Sequence, residues 1–494
     1  MREPPLLLEI ILWLLLAALV AGIRIRLWHL LPTYLWSGDA DSYAHPAFRW
    51  LDTGEMIFDG RRGPTYTLLI AAALKLCGSL DGVIWFQHTL GGSAIIAVVA
   101  AARSLFGRAA LLPLMACGGS LAVYGLPLHL GHLLRNETLL FFFSSVAFCA
   151  WWPALRSNSK GWLFAAALGA GLGTMTKNVF VPLPLMFAAA VVFASGLDWR
   201  ARGVRVAVIA AGFMLPYAAL KVHDATAARV ELPQPQAGIL FYGRTAQSTK
   251  HDGGIEPELK EMIRADIEDY RLLPKLDNNI IIKRTAVPHL WQELVKQGRT
   301  PTDLDRLCRR LAIEAVRTHP SEFWRQVRGD LYRLHIQDGV KNEFPSDSQM
   351  RGGRKELDGV KFTHPTMRRE ANGQILQARI GSTEMESFHR WLERSWMFQR
   401  FPVLVTTLVL PLLIFAWRGK ERWFFLGAAA VWYFNMVLLS TVGRPLERYF
   451  MPLVPIMFWA GSGVVILLWN QMLRLADGLT SPVDSHTTSA PLAP

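Results

Sequence analysis

Residues 6–23 read LLLEIILWLLLAALVAGI, an apolar run that contains one acidic residue. Because a membrane-spanning α-helix needs about 20 predominantly apolar residues, this run predicts a span. The stretch 64–77 is apolar but shorter, and it predicts an interfacial or re-entrant helix. Comparable runs recur, so the sequence predicts an all-α polytopic membrane protein. About ten spans are predicted: 6–23, 83–102, 109–126, 137–154, 162–176, 179–197, 204–221, 402–417, 423–441 and 449–469.

The composition agrees with this class. Of the 494 residues, 51% are hydrophobic and 18% are charged, whereas soluble domains carry about 25% charged residues. The net charge is +13, but basic residues in short loops suit anionic headgroups, so membrane lipids rather than nucleic acid are the predicted partners. The four cysteines have neither disulfide-framework nor metal-ligand spacing. The sequence therefore predicts no cofactor, and it leaves the use of a divalent metal open.

Orientation is predicted from Lys and Arg in the short loops, which concentrate on the cytoplasmic side. Basic segments follow alternate spans at 103–108, 156–160, 200–205 and 418–422. This places both termini in the cytoplasm and the long loops, 24–82 and 222–401, outside. The predicted location is the plasma membrane, or the inner membrane of a bacterium. For the N-terminus, a cleaved signal peptide ending near Ala21 is the alternative.

The chain divides into four predicted units: a transmembrane core with its first outer loop, 1–221; a polar extracytoplasmic domain, 222–401; C-terminal transmembrane helices, 402–470; and a disordered cytoplasmic tail, 471–494.

The polar domain is predicted to be largely helical. Within 303–318, Leu304, Leu307, Leu311 and Ala315 repeat at helical spacing. His319-Pro320 then breaks the helix, with Ser321 predicted as the N-cap of the next one. That second helix has its own apolar stripe of Phe323, Val327, Leu331 and Leu334. Two interpretations are open: both helices lie on the membrane surface, or they belong to a small soluble helical domain that packs their stripes internally. A polar loop is predicted at 341–373.

The first outer loop contains the residues best suited to chemistry. Asp39 and Asp41 follow the first span, and a carboxylate there can act as a general base on an acceptor hydroxyl. Arg61 and Arg62 can hold a phosphate, since guanidinium groups match phosphate oxygens. The alternative is structural: an aspartate caps the helix that starts near Ala40, and the arginines contact lipid headgroups.

This loop resembles that of the GT-C glycosyltransferases, in particular the family 39 and aminoarabinose-transferase-like group. Those enzymes have an Asp in the first periplasmic loop and a Tyr four residues later, as at Asp39 and Tyr43. Their Arg-x-Pro-Gly-Tyr-Pro element is matched at Arg62, Pro64 and Tyr66. The sequence departs from that element at Thr65 and Thr67.

Later segments extend the resemblance over about residues 5–470. Phe106-Gly107 lies in a cytoplasmic loop where the family has Phe-Gly. Glu137 opens the fourth span, and Thr176-Lys177 ends the fifth on the outer side. Arg448-Tyr449 matches the Arg-Tyr start of the last span.

The resemblance implies a glycosyltransferase that takes a sugar from a polyprenyl-phosphate donor at the outer leaflet. The acceptor would be a hydroxyl or phosphate on a lipid, glycan or protein, and transfer would proceed with inversion. Asp39 is the expected base and Asp41 the second choice. The leaving lipid phosphate develops negative charge, and fixed cations near it lower the barrier. Lys177, Arg448 and Arg62 are the expected cations.

Structural alternatives accompany these roles. Lys177 can snorkel to the interface, and Arg448 can pair with Glu447 or a headgroup. Glu137 can cap its helix. His129 and His132 have the spacing of two metal ligands, but the sequence shows no third.

Two other function classes are open at this point. One is a lipid-linked sugar transporter or flippase, although no internal repeat is visible between the two halves. The other is a non-catalytic assembly protein of the cell envelope. The discriminating observation is whether Asp39, Arg62, Lys177 and Arg448 face one cavity, since a transferase requires that and a scaffold does not.

Overall fold

The computed structural model describes residues 3–30, 34, 40–54, 63–177, 180–194, 197–226, 237–246, 286–336, 400–442 and 447–480. Within these residues the regular structure is helical and contains no β-strand, which confirms the predicted all-α class. The helices are α1 Leu6–Leu30, α2 Asp41–Thr53, α3 Pro64–Cys77, α4 Asp81–Phe106, α5 Leu111–Ala122, α6 Gly125–His132, α7 Glu137–Ser157, α8 Lys160–Thr176, α9 Pro182–Ala194, α10 Trp199–Thr226, α11 Ala237–Thr245, α12 Ala286–Lys296, α13 Pro301–Thr318, α14 Pro320–Ile336, α15 Arg400–Ala416, α16 Lys420–Val442 and α17 Val454–Thr480. Two 3-10 segments, Arg108–Ala110 and Glu447–Leu453, precede α5 and α17.

Within the described ranges, six segments are long and apolar enough to cross a membrane, judged by length and composition. They are Leu6–Leu30, Asp81–Phe106, Glu137–Ser157, Trp199–Val222, Lys420–Leu439 and Phe450–Leu473. The other four predicted spans coincide with α5, α8, α9 and α15, which have 12 to 17 residues. Since a span needs about 20, those four stay predictions. The short apolar helix predicted for 64–77 is α3.

The first helix extends beyond its predicted end at residue 23, so Arg24 belongs to α1 and not to the outer loop. Arg24 is buried, and its Nε donates to the carbonyl of His88 at 3.0 Å while Nη1 donates to that of Val20 at 3.2 Å. These acceptors matter because an intramembrane guanidinium is costly without polar partners. At the other end of α1, Glu9 accepts from Arg103 at 2.9 Å. Both contacts fasten α1 to α4.

Glycines allow α8 and α10 to approach closely. A Cβ added at Gly171 would lie 2.5 Å from the carbonyl oxygen of Phe213, and one at Gly212 would lie 2.8 Å from that of Phe164. In membranes, small residues at a helix interface permit backbone contact and dispersion then holds the helices together. The close packing of α8 against α10 sets the position of the last residues of α8, which belong to the candidate site.

Helices α11, α12 and α13 enclose a small apolar core. The predicted stripe of α13 is buried there against Tyr242 of α11 and Leu290 and Leu294 of α12. The stripe of α13 is therefore packed against neighbouring helices of the protein. Its members are Leu304, Leu307, Leu311 and Ala315.

The boundary between α13 and α14 falls at His319, as predicted, but the N-cap assignment is wrong. Helix α14 begins at Pro320, so Ser321 lies inside its first turn. Proline suits that first helical position because it lacks the N–H that would go unbonded there. Helix α13 has a capping box of Thr300 and Asp303 at its own start.

Helix α14 packs against the C-terminal membrane helices α15 and α16. Phe323 and Val327 of its predicted stripe are buried, whereas the side chain of Leu334 is outside the described residues. Arg244 of α11 forms a buried ion pair with Asp330 of α14. Helix α14 thus connects α11 to α15 and α16.

Two predicted segments, the loop at 341–373 and residues 481–494 of the tail, lie outside the described residues. Helix α17 continues to Thr480, so the first ten residues of the predicted disordered tail, 471–480, are helical.

Candidate functional site

The structure describes the ten predicted site residues to different extents. Asp39, Arg61 and Arg62 lie outside the described residues. The backbone, but not the side chain, is described for Asp41 at the start of α2 and for Arg448 and Tyr449 in the 3-10 segment before α17. Side chains are described for Tyr43, Tyr66, Glu137 and Lys177. These last four define what we call the loop site.

Two helices of the first outer loop, α2 and α3, pack together through small and aromatic residues. Tyr43 and Tyr66 meet edge to face, with ring centroids 4.9 Å apart. The Thr67 hydroxyl donates to the backbone carbonyl of Tyr43 at 3.3 Å. Ala40 and Ala44, on the same side of α2 as Tyr43, are fully buried. Tyr43 and Tyr66 therefore fix the angle between α2 and α3, which a sequence pattern does not specify.

Tyr66 is held by a buried glutamine of α4. Its hydroxyl donates to Gln87 Oε1 at 2.6 Å, while Gln87 Nε2 donates to the carbonyls of Gly131 at 2.9 Å and Leu133 at 2.8 Å. Two carbonyls can only accept, so the amide NH₂ must face them and the amide oxygen must face Tyr66. Tyr66 is thus the donor.

The protonated state of Tyr66 follows from its surroundings. Burial raises the pKa of the Tyr66 phenol well above its usual value of 10.0, and the nearby Tyr43 and Glu137 raise it further. Tyr66 is therefore a neutral phenol that donates to the Gln87 amide and positions the first outer loop. It is not set up to accept a proton from a substrate.

The start of α3 lies against the end of α8. A Cβ added at Gly63 would lie 1.7 Å from the carbonyl oxygen of Met175 and 3.0 Å from that of Thr176. The hydroxyl of Thr65 donates to the carbonyl of Leu172 at 3.4 Å. Only glycine fits at this crossing, because any side chain would overlap the α8 backbone. The next residue after Thr176 is Lys177.

The start of α7 joins the same junction. Asn136, the residue before α7, donates from Nδ2 to the carbonyl of Thr176 at 3.1 Å. Glu137 follows as the first residue of α7 and is 3% exposed. A carboxylate there is favoured by the positive end of the helix dipole. Glu137 and Lys177 therefore adjoin the two residues that this hydrogen bond connects.

The 3-10 segment Glu447–Leu453 packs against α7 and α6. Helix α17, which it introduces, runs beside α7, and Phe148 meets Trp459 edge to face with centroids 5.6 Å apart. Helix α6 ends at His132, five residues before Glu137. The backbone of Arg448 therefore lies at the same end of the bundle as Glu137.

A buried histidine pair lies next to the loop site and was not predicted. His88 Nε2 and His132 Nδ1 are 3.1 Å apart, and Trp28 lies against the His132 ring. The spacing of His129 and His132, which alone suits two metal ligands, gains no third ligand: no three His, Cys, Asp or Glu side chains cluster anywhere in the described ranges. Sequence offers no signal for a contact 44 residues apart.

Comparisons with known proteins add the following. No family model matches the sequence, and no curated protein is significantly similar to it. Among solved structures, the chain is similar to ArnT from Cupriavidus metallidurans in the apo state, with 14% identity and a TM-score of 0.34 over 88% of this chain and 78% of that one. The same protein bound to undecaprenyl phosphate gives 14% identity, the same coverage and a TM-score of 0.35. The archaeal oligosaccharyltransferase AglB from Archaeoglobus fulgidus, in complex with an inhibitory peptide and a dolichol-phosphate, gives 12% identity and a TM-score of 0.46 over 98% of this chain and 52% of that one. Similarity at this level does not assign an activity to this chain.

The junction itself has a defined chemical character. It brings a buried carboxylate, Glu137, and an ammonium group, Lys177, to the ends of α7 and α8, and it carries the helix that begins with Asp41. Tyr66 and Gln87 connect α3 to α4 and to the segment that precedes α7. A carboxylate and an ammonium group at two connected helix ends can remove a proton and bind an anionic group, respectively.

Proposed function

We propose that this protein is an integral membrane glycosyltransferase that moves a sugar from a polyprenyl-phosphate donor to a lipid, glycan or protein acceptor. The reaction takes place on the extracytoplasmic face of the plasma membrane, with both termini of the chain in the cytoplasm. Residues 1–221 form the catalytic unit with the 402–470 helices, and 222–401 form the extracytoplasmic domain.

One observation carries the proposal: the contact of Gly63 with the last residues of α8. Arg62 is bonded to Gly63, and Lys177 is bonded to Thr176, so two predicted cations adjoin a single backbone crossing. Arg448 adds a third cation at the same end of the bundle through the segment that packs against α7. We infer that these three cations together stabilise a leaving group that becomes a lipid phosphate.

The base in this mechanism is a loop carboxylate. Asp39 precedes the buried Ala40, and Asp41 begins α2. The base removes the proton of the acceptor while the acceptor oxygen attacks the anomeric carbon, and the bond from that carbon to the phosphate oxygen breaks. The leaving phosphate is stabilised by the cations, and the sugar is transferred with inversion. Asp39 is the preferred base because Asp39 and Tyr43 match the spacing of the resembling family.

The test is sugar transfer by purified protein in proteoliposomes that contain polyprenyl-phosphate sugars and a crude envelope acceptor. We expect Asp39→Asn to lower the rate by about 100-fold or more, the range for loss of general-base catalysis. Asp52→Asn is the matched control, because Asp52 is an exposed carboxylate in the last turn of α2. It should transfer sugar at the wild-type rate.

Other outcomes separate the alternatives. Full activity of Asp39→Asn would move the base to Asp41 or Glu137, and the same substitution at those positions would then identify it. Absence of transfer by the wild type, together with movement of the labelled donor between leaflets, would contradict the proposal in favour of a transporter.

A further inference from the structure

A surface depression lies at the end of the bundle opposite to the loop site. It is bordered by the last turns of α7 and by the first turns of α10 and α16. Helix α7 has 21 residues from Glu137 to Ser157, which span about 30 Å. The depression is therefore about one membrane thickness from Glu137, on the side where the basic loops predict the cytoplasm.

Two cations line the depression, and both are held by the end of α7. Arg205 donates from Nη1 to Asn158 Oδ1 at 3.2 Å and from Nη2 to the Asn158 carbonyl at 2.8 Å. Lys420 donates from Nζ to the carbonyl of Arg156 at 2.8 Å. Asn158 has a left-handed conformation with φ 56°, which ends α7 and presents these oxygens. The two cations are thereby fixed in position before any ligand binds.

These contacts leave N–H donors of Arg205 and Lys420 available to a ligand. A guanidinium has five N–H donors and an ammonium has three, so the contacts above use only part of each group. No residue that lines the depression is acidic. The three segments around it carry an excess of positive charge, with eight basic and two acidic residues: Arg156, Lys160, Arg200, Arg202, Arg205, Arg418, Lys420 and Arg422 against Asp198 and Glu421.

The remaining wall is apolar and aromatic. Trp151, Leu155 and Trp423 line the depression beside the cations, and Trp151 is supported from behind by stacking on Phe187 with centroids 4.4 Å apart. Inorganic phosphate has no apolar part that could contact these side chains. A phospholipid, in contrast, places its charged group at the interface and its acyl chains beside apolar side chains. Tryptophan is typical of this depth in a membrane.

We propose that this depression is a binding site for an anionic phospholipid. The lipid phosphate lies between Arg205 and Lys420, and the start of its acyl chains lies against Trp423. Because Arg205 belongs to α10 and Lys420 to α16, the lipid connects the N-terminal helices to the C-terminal helices. The site is separate from the proposed transferase site and does not depend on that activity.

The experiment is native mass spectrometry of the full chain released from nanodiscs of phosphatidylcholine with and without phosphatidylglycerol. Wild type is expected to retain one phosphatidylglycerol in preference to phosphatidylcholine. Arg205→Gln with Lys420→Gln is expected to weaken retention about 30-fold, since each basic residue contributes about 1 kcal/mol near an anionic surface and 1.4 kcal/mol is tenfold. Lys160→Gln with Arg422→Gln removes the same charge from exposed residues outside the lining, and it should retain the lipid.

One further variant and two contradicting outcomes complete the test of the proposal. Should the double variant not fold, Lys420→Gln alone, at an exposed side chain, is expected to weaken retention about fivefold. Equal retention by the wild type and by the lining variants would overturn the proposal. So would thermal stabilisation by inorganic phosphate equal to that by phosphatidylglycerol, because the site would then bind free phosphate.

Discussion

Replacing Tyr66 by Phe removes one oxygen from a fully buried network and leaves the ring in place. The Tyr66 hydroxyl and Gln87 Oε1 are 2.6 Å apart, and both residues are 0% exposed. Since the Gln87 NH₂ is committed to the carbonyls of Gly131 and Leu133, the amide cannot turn to find another partner. The variant therefore buries an unpaired acceptor, which costs about 1–3 kcal/mol.

The assay is equilibrium unfolding in mixed micelles, with Tyr332→Phe as the matched control. Tyr332 is 55% exposed on α14, so its variant should change the unfolding free energy by less than about 0.5 kcal/mol. A double-mutant cycle with Gln87→Leu isolates the pair. In that background Tyr66→Phe should cost far less, because its acceptor is already absent. Equal effects of the Tyr66 and Tyr332 substitutions would refute the reasoning.

The pH dependence gives an independent check. The pKa of Tyr66 is raised in the folded state above its usual value of 10.0. Its contribution to stability is fully present below about pH 10 and is lost as the pH rises towards the folded pKa. The stability difference between the wild type and Tyr66→Phe should therefore be constant below pH 10 and shrink above it. A difference that grows above pH 10 would contradict the assigned donor role.

Three further predictions concern the junction and the polar domain. Gly63→Ala places a methyl group in the α8 backbone. It should destabilise the protein by about 1–3 kcal/mol in the same unfolding assay and abolish sugar transfer. The control Gly329→Ala lies in open space within α14 and should stabilise the protein by about 0.5–1 kcal/mol. Lys177→Gln should lower kcat/KM for the polyprenyl-phosphate donor about 100-fold, and Lys160→Gln at the exposed other end of α8 should not; equal values for the two would remove Lys177 from the donor site. Thr300→Ala, which removes the capping box of α13, should cost about 1 kcal/mol and speed hydrogen exchange in the first turn of that helix, and unchanged exchange would show that the cap does not hold it.

The positions of the helices could be predicted with fair accuracy, because burial in lipid depends on the composition of one continuous run. The predicted spans 83–102 and 137–154 lie within α4 and α7, which cover 81–106 and 137–157. Arg24 was assigned to the loop because an arginine usually ends an apolar run. The structure keeps it in the helix because carbonyls on α1 and α4 receive its donors.

The site could be predicted only in part. Tyr66 was identified from its motif, but its partner Gln87 was not, since a single glutamine within an apolar run carries no signal. The contact of Gly63 with the end of α8 likewise joins positions more than 100 residues apart, and nothing in the local sequence of either segment indicates the other.

Run length and apolar content alone establish that the chain is helical and crosses a membrane, because the transfer of a segment into lipid is nearly a sum over its own residues. Tertiary structure decides which polar groups meet. The crossing of α3 with α8, the Tyr66–Gln87 bond and the Arg205 and Lys420 contacts at the end of α7 depend on directional geometry between distant segments. Hydrogen bonds require distance and alignment that no composition encodes, and so the chemistry of both ends of this bundle appears only after the helices have packed.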